Sequence, residues 1–382
     1  MSSEKFVVTA GQICLDISPK FPAHLTYERV DQVFYPGKLS TMDGLVLALG
    51  GAVANTGLAM QKMGTKVRFM GKVGTDGFAD VVRRMLLDAG GDDTYLLTDT
   101  TAETSCTMVL APRGLDRMFL QVPGANNTFT AEDVNYEGVK GASLFHFGYP
   151  GIMRRFYLND GEELVKMFSR VKELGVATSL DMVFVDPDTE NGHANWRQIV
   201  KNVIPYVDFF VPSAAELCFE LDPKLYESWV ERAGGRDVTE VISIEHDIRP
   251  LADQLMEWGA KVVMIKCGLQ GLYLRTAGAE RLLGAGEELG PVLARDWADL
   301  EMFEESYVAD VVKSGVGAGD ASIGAFLCAV LRGFPVRRCL QYAAGAGCGC
   351  VEQYDSLSGV PTFEEMDARM AAGWKKQGLK ID

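Results

Sequence analysis

The sequence predicts an α/β fold of three α/β/α layers, in which helices cover both faces of a mostly parallel central sheet and a small β-sheet forms a lid. Short, nearly continuous apolar runs alternate with segments of helical periodicity, and many of the runs lead into Gly or Asp. Apolar runs of this kind are typical of parallel strands buried on both faces. The predicted strands are Phe6–Ile13, Val67–Gly71, Ser143–Phe147, Ala177–Asp181, Val207–Val211 and Lys261–Lys266. The predicted helices are Val53–Met63, Phe78–Ala89, Gly161–Leu174, Trp196–Val203 and Ile248–Trp258.

Two stretches break the alternation and predict the lid. Leu25–Leu39 and Thr104–Val122 are richer in β-branched and aromatic residues and contain Pro-Gly or Pro-Arg-Gly turn signals, which is typical of strands in a small sheet. We therefore expect a single domain over residues 1–382, with a lid built from about residues 17–45 and 94–123. The charged segments 221–249 and 275–310 are predicted to be surface insertions.

Composition and charge exclude several classes of function. The chain has 52 acidic and 37 basic residues, a net charge of −15, and such a field repels nucleic acid and anionic membranes. Neither is expected as a partner. An anionic ligand must therefore be held by local groups, such as backbone N–H groups, a helix start or a bound cation. The first 13 residues lack a secretory signal and the eight cysteines are scattered, which together favour reduced thiols and a cytoplasmic location.

A glycine-rich turn at residues 315–319 leads directly into an apolar helix. Unpaired N–H groups and the positive end of the helix dipole suit a phosphate group at such a place. Asp320 follows in the first helical turn and has two interpretations. It either caps the helix, or it accepts a proton from a substrate hydroxyl while the N–H groups stabilise phosphate charge. The preceding Gly-x-Gly pattern favours the second interpretation.

A second glycine pair, Gly50-Gly51, stands before a helix that carries Asn55 one turn in. Glycine lets backbone approach a neighbouring group closely. The pair predicts either room for a ligand or a closely packed helix start, and the sequence favours neither.

These motifs resemble the ribokinase-like (PfkB) family of carbohydrate kinases. Gly317-Ala318-Gly319-Asp320 is similar to the second signature of that family, and Gly50-Gly51 with Asn55 is similar to the first. Further segments follow in the family's order: Gly11 to Asp16, Gly71 to Gly77, Gly124-Ala125-Asn126, Glu216 after Pro212, Lys266 to Gly271, and Pro361-Thr362. The resemblance spans roughly residues 6 to 375.

The resemblance implies ATP-dependent phosphorylation of a hydroxyl on a sugar or similar small polyol, with ATP and Mg²⁺ as cofactors. It implies that Asp320 is the catalytic base and that Gly317, Ala318 and Gly319 form an anion hole. The other implied roles are Asp16, Gly50, Gly51 and Asn55 for the acceptor, Lys266, Gly268 and Gly271 with Gly317 and Gly319 for ATP, and Glu216 for Mg²⁺ through water.

The sequence departs from the family pattern at three places. Ser314-Gly315-Val316 replaces the Asp-Thr-x that commonly precedes the anion hole, which argues against a potassium site. Ser213 replaces an Asn three positions before Glu216, and Val183 replaces the Asn of an Asp-x-Asn motif that begins at Asp181. Two alternatives therefore stay open: a nucleoside kinase of the same family, and a catalytically silent sugar- or nucleotide-binding regulator. The edges of the lid sheet also favour a homodimer.

Overall fold

The computed structural model describes residues 5–115 and 118–379, and within them thirteen strands form two sheets. The strands are β1 (Phe6–Gly11), β2 (Cys14–Lys20), β3 (Gly44–Gly50), β4 (Lys66–Val73), β5 (Leu96–Thr98), β6 (Cys106–Leu110), β7 (Met118–Val122), β8 (Leu144–Gly148), β9 (Ala177–Asp181), β10 (Phe209–Phe210), β11 (Val262–Lys266), β12 (Gly271–Thr276) and β13 (Glu301–Glu305). The central sheet has the order β13-β12-β11-β10-β9-β8-β1-β4-β5. Its pairs are parallel from β11 to β5, and β12 and β13 add an antiparallel edge.

Helices cover both faces of this sheet. They are α1 (Val30–Val33), α2 (Ala52–Lys62), α3 (Gly77–Asp88), α4 (Tyr136–Val139), α5 (Arg154–Tyr157), α6 (Glu162–Glu173), α7 (Trp196–Val203), α8 (Ala214–Leu221), α9 (Pro223–Ala233), α10 (Arg249–Glu257), α11 (Ala279–Leu282), α12 (Gly290–Asp296), α13 (Ala318–Leu331), α14 (Val336–Cys350) and α15 (Phe363–Ala371). Successive side chains of a strand point to opposite faces. On β8, accordingly, Leu144 lies in the core shared with α2, α13 and α14, and Phe145 lies in the core shared with α6 to α10.

This architecture confirms the predicted fold class. All six predicted strands and all five predicted helices overlap observed elements, and Ala177–Asp181 and Trp196–Val203 have the predicted bounds. No helix within residues 5–115 and 118–379 combines the length and apolarity that a membrane crossing requires.

The small sheet has the strand order β3-β2-β6-β7. The prediction of two strands in Thr104–Val122 agrees with β6 and β7, whereas the strand prediction for Leu25–Leu39 is wrong. That stretch contains only the short helix α1 among its described elements, and β2 and β3 on either side of it supply the sheet. The error came from residue type, because Leu25–Leu39 has β-branched and aromatic residues without the period-two alternation of a strand.

The two charged segments also contribute to the core. Residues 221–249 contain α9, whose Trp229 is fully buried. Residues 275–310, predicted as a surface insertion, contain α11, α12 and β13, and bury Leu282, Leu293 and Trp297. The prediction that residues 275–310 form a surface insertion is therefore wrong, because β13 of this segment pairs with β12 and completes the central sheet.

The carboxyl ends of the parallel strands meet at one edge of the sheet. Gly11 of β1 stands beside Gly148 of β8, and Gly148 stands beside Asp181 of β9. Lys266 ends β11 and forms a bridge with Ser213. In open α/β sheets this edge is where ligands bind, and it is where the sequence motifs meet.

Candidate active site

The glycine-rich turn ends at Gly317, which is the N-cap of α13 and has a φ of +75°. A Cβ atom at this position would collide with Ser356, so both the backbone conformation and the packing require glycine. The first N–H groups of a helix have no partner within the helix. At α13 these groups begin with Ala318, whose N–H also donates to the carbonyl of Gly315 at 3.4 Å, and with Gly319, and such a helix start is a place where an anion binds favourably.

Asp320 is 3% exposed and is held by side chains from two other elements. Thr56 Oγ1 donates to its Oδ1 at 2.9 Å, while Asn55 Nδ2 and the Tyr149 hydroxyl donate to its Oδ2 at 3.2 and 2.8 Å. No side chain of the described residues caps α13. Capping is therefore not what Asp320 does here, and its carboxylate faces the site.

Burial raises the pKa of Asp320 above its ordinary value, although Tyr149, Lys266, Thr56 and Asn55 all act to lower it. Burial penalises the charged carboxylate, whereas donors and a nearby ammonium group favour it. The result is a carboxylate that is more basic than one in water and whose ionised form is still held by hydrogen bonds. That combination suits a general base.

Asn55 joins three parts of the chain. Besides its bond to Asp320, its Oδ1 accepts from the hydroxyl of the buried Ser356 at 2.7 Å. The structure therefore brings the motif at residues 50–56 to the motif at residues 317–320. Thr56, Tyr149 and Ser356 are site residues that the sequence analysis missed. Thr56 lay inside a motif already singled out, whereas Tyr149 and Ser356 had no local signal.

Asp16 stands on β2 at the base of the lid, paired with Ala48 of β3, and its side chain lies against Gly50. A Cβ atom at Gly50 would collide with the Asp16 carboxyl group, and one at Gly51, which has a φ of +89°, would collide with Gln12. The space beside the two glycines is thus occupied by protein. Burial raises the pKa of Asp16 to about 6, and the negative charge of Asp320 contributes to the same shift.

Lys266 and Asp181 form an ion pair at the ends of β11 and β9, with 2.7 Å between Nζ and Oδ1. The Lys266 side chain also lies against the glycine-rich turn, because a Cβ atom built on Gly319 would be 3.5 Å from its Nζ. Burial favours the neutral amine, but the carboxylates of Asp181, Glu216 and Asp320 outweigh it and raise the pKa of Lys266. A fixed positive charge therefore stands next to the start of α13.

Carboxylates outnumber this lysine. Glu216 accepts from the backbone N–H of Ser213 at 2.7 Å and completes a capping box at the start of α8. One helical turn later Glu220 is 2% exposed, and neither of its carboxyl oxygens has a hydrogen-bond partner among the described residues. Burial raises its pKa well above the ordinary value, and Glu216 and Asp181 add to that shift.

The carboxyl groups at this edge of the sheet fit a Mg²⁺ ion that is held mainly through water and substrate phosphates. In the part of the chain that the structure describes, no group of three or more His, Cys, Asp or Glu side chains is arranged to hold a metal ion. Mg²⁺ prefers oxygen ligands and commonly binds through one or two carboxylates, water and substrate phosphates. The three carboxyl groups near Lys266, those of Asp181, Glu216 and Asp320, are compatible with a cation of that kind.

Gly268 lies in the turn between β11 and β12 and Gly271 is the first residue of β12, with φ values of +56° and +136°. A Cβ atom would collide with Thr239 at the first position and with the backbone of Glu304 at the second. Packing within the protein is thus sufficient to require glycine at both. The turn still borders the same sheet edge, because it follows Lys266 directly.

A mostly parallel sheet with helices on both faces and an added four-stranded sheet is an architecture known from solved structures. The chain superposes on the structure of Arabidopsis thaliana ribokinase complexed with ribose and ATP with a TM-score of 0.69, over 95% of this chain and 98% of that one, at 19% identity. Residues 7–362 match the model of the pfkB family of carbohydrate kinases. The chain belongs to this family, which confirms the resemblance found in the sequence.

Individual relatives match the chain to different extents. A 5-dehydro-2-deoxygluconokinase of Geobacillus thermodenitrificans is 20% identical over 364 residues, which are 94% of this chain and 91% of the relative. Fructokinase-1 of Zea mays is 31% identical over 149 residues, which are 38% of this chain and 42% of the relative. The match therefore spans less than half the length of the plant fructokinase.

Proposed function

We propose that this protein is an ATP-dependent kinase that phosphorylates a hydroxyl group of a sugar or a similar small polyol. The observation that carries the proposal is Asp320, a buried carboxylate without a capping role, held by three side chains at the start of α13. Membership of the pfkB family supports the same reaction class. The sugar or polyol is the acceptor, because its hydroxyl receives the phosphoryl group.

In the proposed reaction, Asp320 takes the proton of the acceptor hydroxyl as its oxygen bonds to the γ-phosphorus of ATP. The bond between that phosphorus and the β–γ bridging oxygen breaks, and ADP leaves with the electron pair. The backbone N–H groups at Gly317, Ala318 and Gly319 stabilise the negative charge on the transferred group. Phosphoryl transfer depends chiefly on such positioning and charge stabilisation.

The charged residues at the sheet edge support the nucleotide side of this proposal. Lys266 is fixed by Asp181 beside the glycine turn, which supports a contact of its ammonium group with phosphate oxygens. Gly268 and Gly271 border the nucleotide in this arrangement. Glu216 would hold Mg²⁺ through water, and the ion would supply charge neutralisation on the phosphates.

The acceptor is proposed to lie between the sheet edge and the lid. Asp16 stands at the base of the lid strand β2, and the closely packed Gly50-Gly51 turn fixes it there. Asp16 and Asn55 then bind acceptor hydroxyls. Closure of the lid over the acceptor would exclude water and so limit ATP hydrolysis.

We also propose a homodimer through the lid. Leu45, Val46 and Leu47 are consecutive on the edge strand β3 and all three are exposed, so both faces of that strand are uncovered in the single chain. An open strand edge with apolar side chains favours pairing with the same edge of a second copy. Light scattering tests this: a dimer that Leu45→Glu with Leu47→Glu dissociates supports it, and a monomeric wild-type protein contradicts it.

A substrate panel tests the proposed reaction. ADP release is measured with ATP, Mg²⁺ and a set of ketoses, aldoses, sugar acids and nucleosides, for the wild type and for Asp320→Asn. Turnover with a sugar that is lost in the variant supports the proposal. Turnover with nucleosides alone identifies a nucleoside kinase, and binding without turnover identifies a silent regulator.

A further inference from the structure

Tyr149 directly follows the carboxyl end of β8 and has a left-handed backbone, with a φ of +67°. This conformation is uncommon outside glycine and often marks a functional site. The Tyr149 N–H donates to the carbonyl of Asp181, and the Tyr149 carbonyl accepts from the N–H of Ile152, each at 3.3 Å. The backbone is thereby fixed against β9, and the phenol hydroxyl donates to Asp320 Oδ2 at 2.8 Å.

The hydrogen bonds on Asp320 are divided unequally between its two oxygens. Oδ2 accepts from Tyr149 and Asn55, whereas Oδ1 accepts from Thr56 alone among the described residues. A carboxylate offers about four acceptor positions, two on each oxygen. Oδ1 is therefore the atom that retains a position for a further donor. Tyr149 occupies the other oxygen, so it and the acceptor hydroxyl do not compete for the same place.

We propose that Tyr149 is a positioning residue for phosphoryl transfer, whose hydroxyl keeps Asp320 ionised and turns Oδ1 toward the acceptor hydroxyl. This inference rests on the proposed function, because it requires Asp320 to act as the base. A purely structural role would depend on the ring of Tyr149, whereas the inferred role depends on its hydroxyl group.

The proton on Tyr149 stays in place during this role. Burial raises the pKa of the phenol well above its ordinary value, and the negative charges of Asp320, Asp181 and Glu216 act in the same direction. Tyr149 is therefore a donor over the whole range in which a kinase works. A donor to the ionised form of a carboxyl group lowers its pKa, and the bond from Tyr149 has this effect on Asp320.

Other polar and charged groups act on Asp320 from each element packed around it. They are Asn55 and Thr56 of α2, Asp16 of β2, Asp181 of β9, Lys266 of β11 and Cys350 of α14, while Glu216 of α8 acts on Tyr149 and Lys266. All of them are retained when only the Tyr149 hydroxyl is removed. Loss of that one donor therefore raises the pKa of Asp320, and the base is protonated at a higher pH than before.

The test is the pH dependence of kcat/KM for the acceptor in Tyr149→Phe, which keeps the ring. We expect a fall of about ten-fold at neutral pH and an acid limb displaced upward by about one pH unit, as expected for one lost hydrogen bond to a charged group. The KM for ATP stays unchanged. Tyr342→Phe is the matched control, because it removes a tyrosine–carboxylate bond of 2.9 Å to Asp367, between α14 and α15. It should leave the profile as in the wild type.

Other outcomes would overturn the inference. An acid limb that does not move means that the hydroxyl does not act on the base. A lower acceptor KM with unchanged kcat means that Tyr149 occupies the place of the acceptor. Should Tyr149→Phe unfold, Tyr149→Asn supplies a residue that tolerates the left-handed region and lacks the phenol, with the same expected displacement. Asp320→Asn separates the two proposals: an active Asp320→Asn enzyme refutes the proposed function, whereas an unmoved limb in Tyr149→Phe beside an inactive Asp320→Asn refutes this inference alone.

Discussion

Buried lysine–aspartate clusters lie at both ends of the central sheet. At the amino ends of the strands, Asp208 is fully buried and pairs with Lys172 at 2.7 Å and with Lys261 at 3.1 Å. It also accepts from the backbone N–H of Thr178 at 2.8 Å. At the carboxyl ends, Lys266 pairs with Asp181 at the same distance of 2.7 Å.

The two clusters differ in charge balance. Asp208 has two cations around it, so the amino-end cluster satisfies its buried anion within the protein. Lys266 is surrounded by Asp181, Glu216 and Asp320, so the carboxyl-end cluster has more acidic than basic side chains, and burial raises the pKa of Asp181 to about 8. The same residue types therefore pair within the fold at one end and, in the proposed function, contribute to a ligand site at the other. Strand direction decides which cluster can lie at a ligand site, because ligands bind at the carboxyl edge of the sheet.

The largest expected effect separates catalysis from stability at the carboxyl end. Asp320→Asn keeps the size of the side chain, and its amide can still bond with the hydroxyls of Thr56 and Tyr149. Turnover should nevertheless fall by about 10²–10⁴-fold, the usual contribution of a general base. The measurement is kcat with the preferred acceptor, beside a melting curve and an ATP-binding titration, both of which should remain near the wild type. A nearly normal kcat would contradict the kinase mechanism.

The opposite result is expected at the amino end. Asp208→Asn leaves Lys172 and Lys261 without their counter-charge, and breaking a buried ion pair in this way costs about 3–5 kcal/mol of the free energy of unfolding. Urea unfolding measures that loss. The kcat and both KM values should not change at a temperature where the variant is folded. Asp181→Asn is the matched change at the other end, and there the KM for ATP should rise. If Asp208→Asn altered the kinetics instead, the division of roles between the clusters would be wrong.

The buried strands and helices were predictable from the sequence because local signals encode them. Ala177–Asp181 is a short run of small and apolar residues that ends at an Asp, and Trp196–Val203 has a clear helical period; each has its predicted bounds. β13 was missed because Glu301–Glu305 carries three glutamates, and its place in the sheet comes from pairing with β12. Strand pairing at an antiparallel edge is a long-range property that a local pattern does not contain.

The site was predictable only in part, for the same reason. The motifs containing Asn55, Asp320 and Lys266 were visible as local patterns. The contacts of Tyr149 and Ser356 with those residues span 171 and 301 positions of sequence. The left-handed backbone of Tyr149 is imposed by tertiary structure, since tyrosine has no intrinsic preference for it. The ion pair of Lys266 with Asp181 likewise depends on the parallel order of β9, β10 and β11.

A smaller effect is expected at Asn55, which connects the base to the loop containing Ser356. Asn55→Ala removes the amide that donates to Asp320 and that is proposed to bind an acceptor hydroxyl. The expected loss is about 1–3 kcal/mol, visible as a higher KM for the acceptor together with an acid limb displaced upward, because Asn55 also donates to Asp320 Oδ2. Ser356→Ala is the control, because it removes the other bond of Asn55 and leaves the acceptor contact intact. A change confined to the KM for ATP would contradict the proposed acceptor position.

The smallest expected effect concerns monovalent cations next to the anion hole. Ser314 offers a neutral oxygen where relatives commonly have an acidic residue, and its hydroxyl already accepts from the N–H of Val316 at 3.2 Å. Lys313 donates from its ammonium group to Gln353 at 3.1 Å, so a positive charge of the protein already lies next to Ser314. A neutral oxygen attracts a potassium ion less strongly than a carboxylate does, and a nearby ammonium group repels it. We therefore expect nearly the same kcat in potassium, sodium and tetramethylammonium chloride at equal ionic strength, whereas strong and saturable activation by potassium would show that backbone carbonyls alone form the cation site.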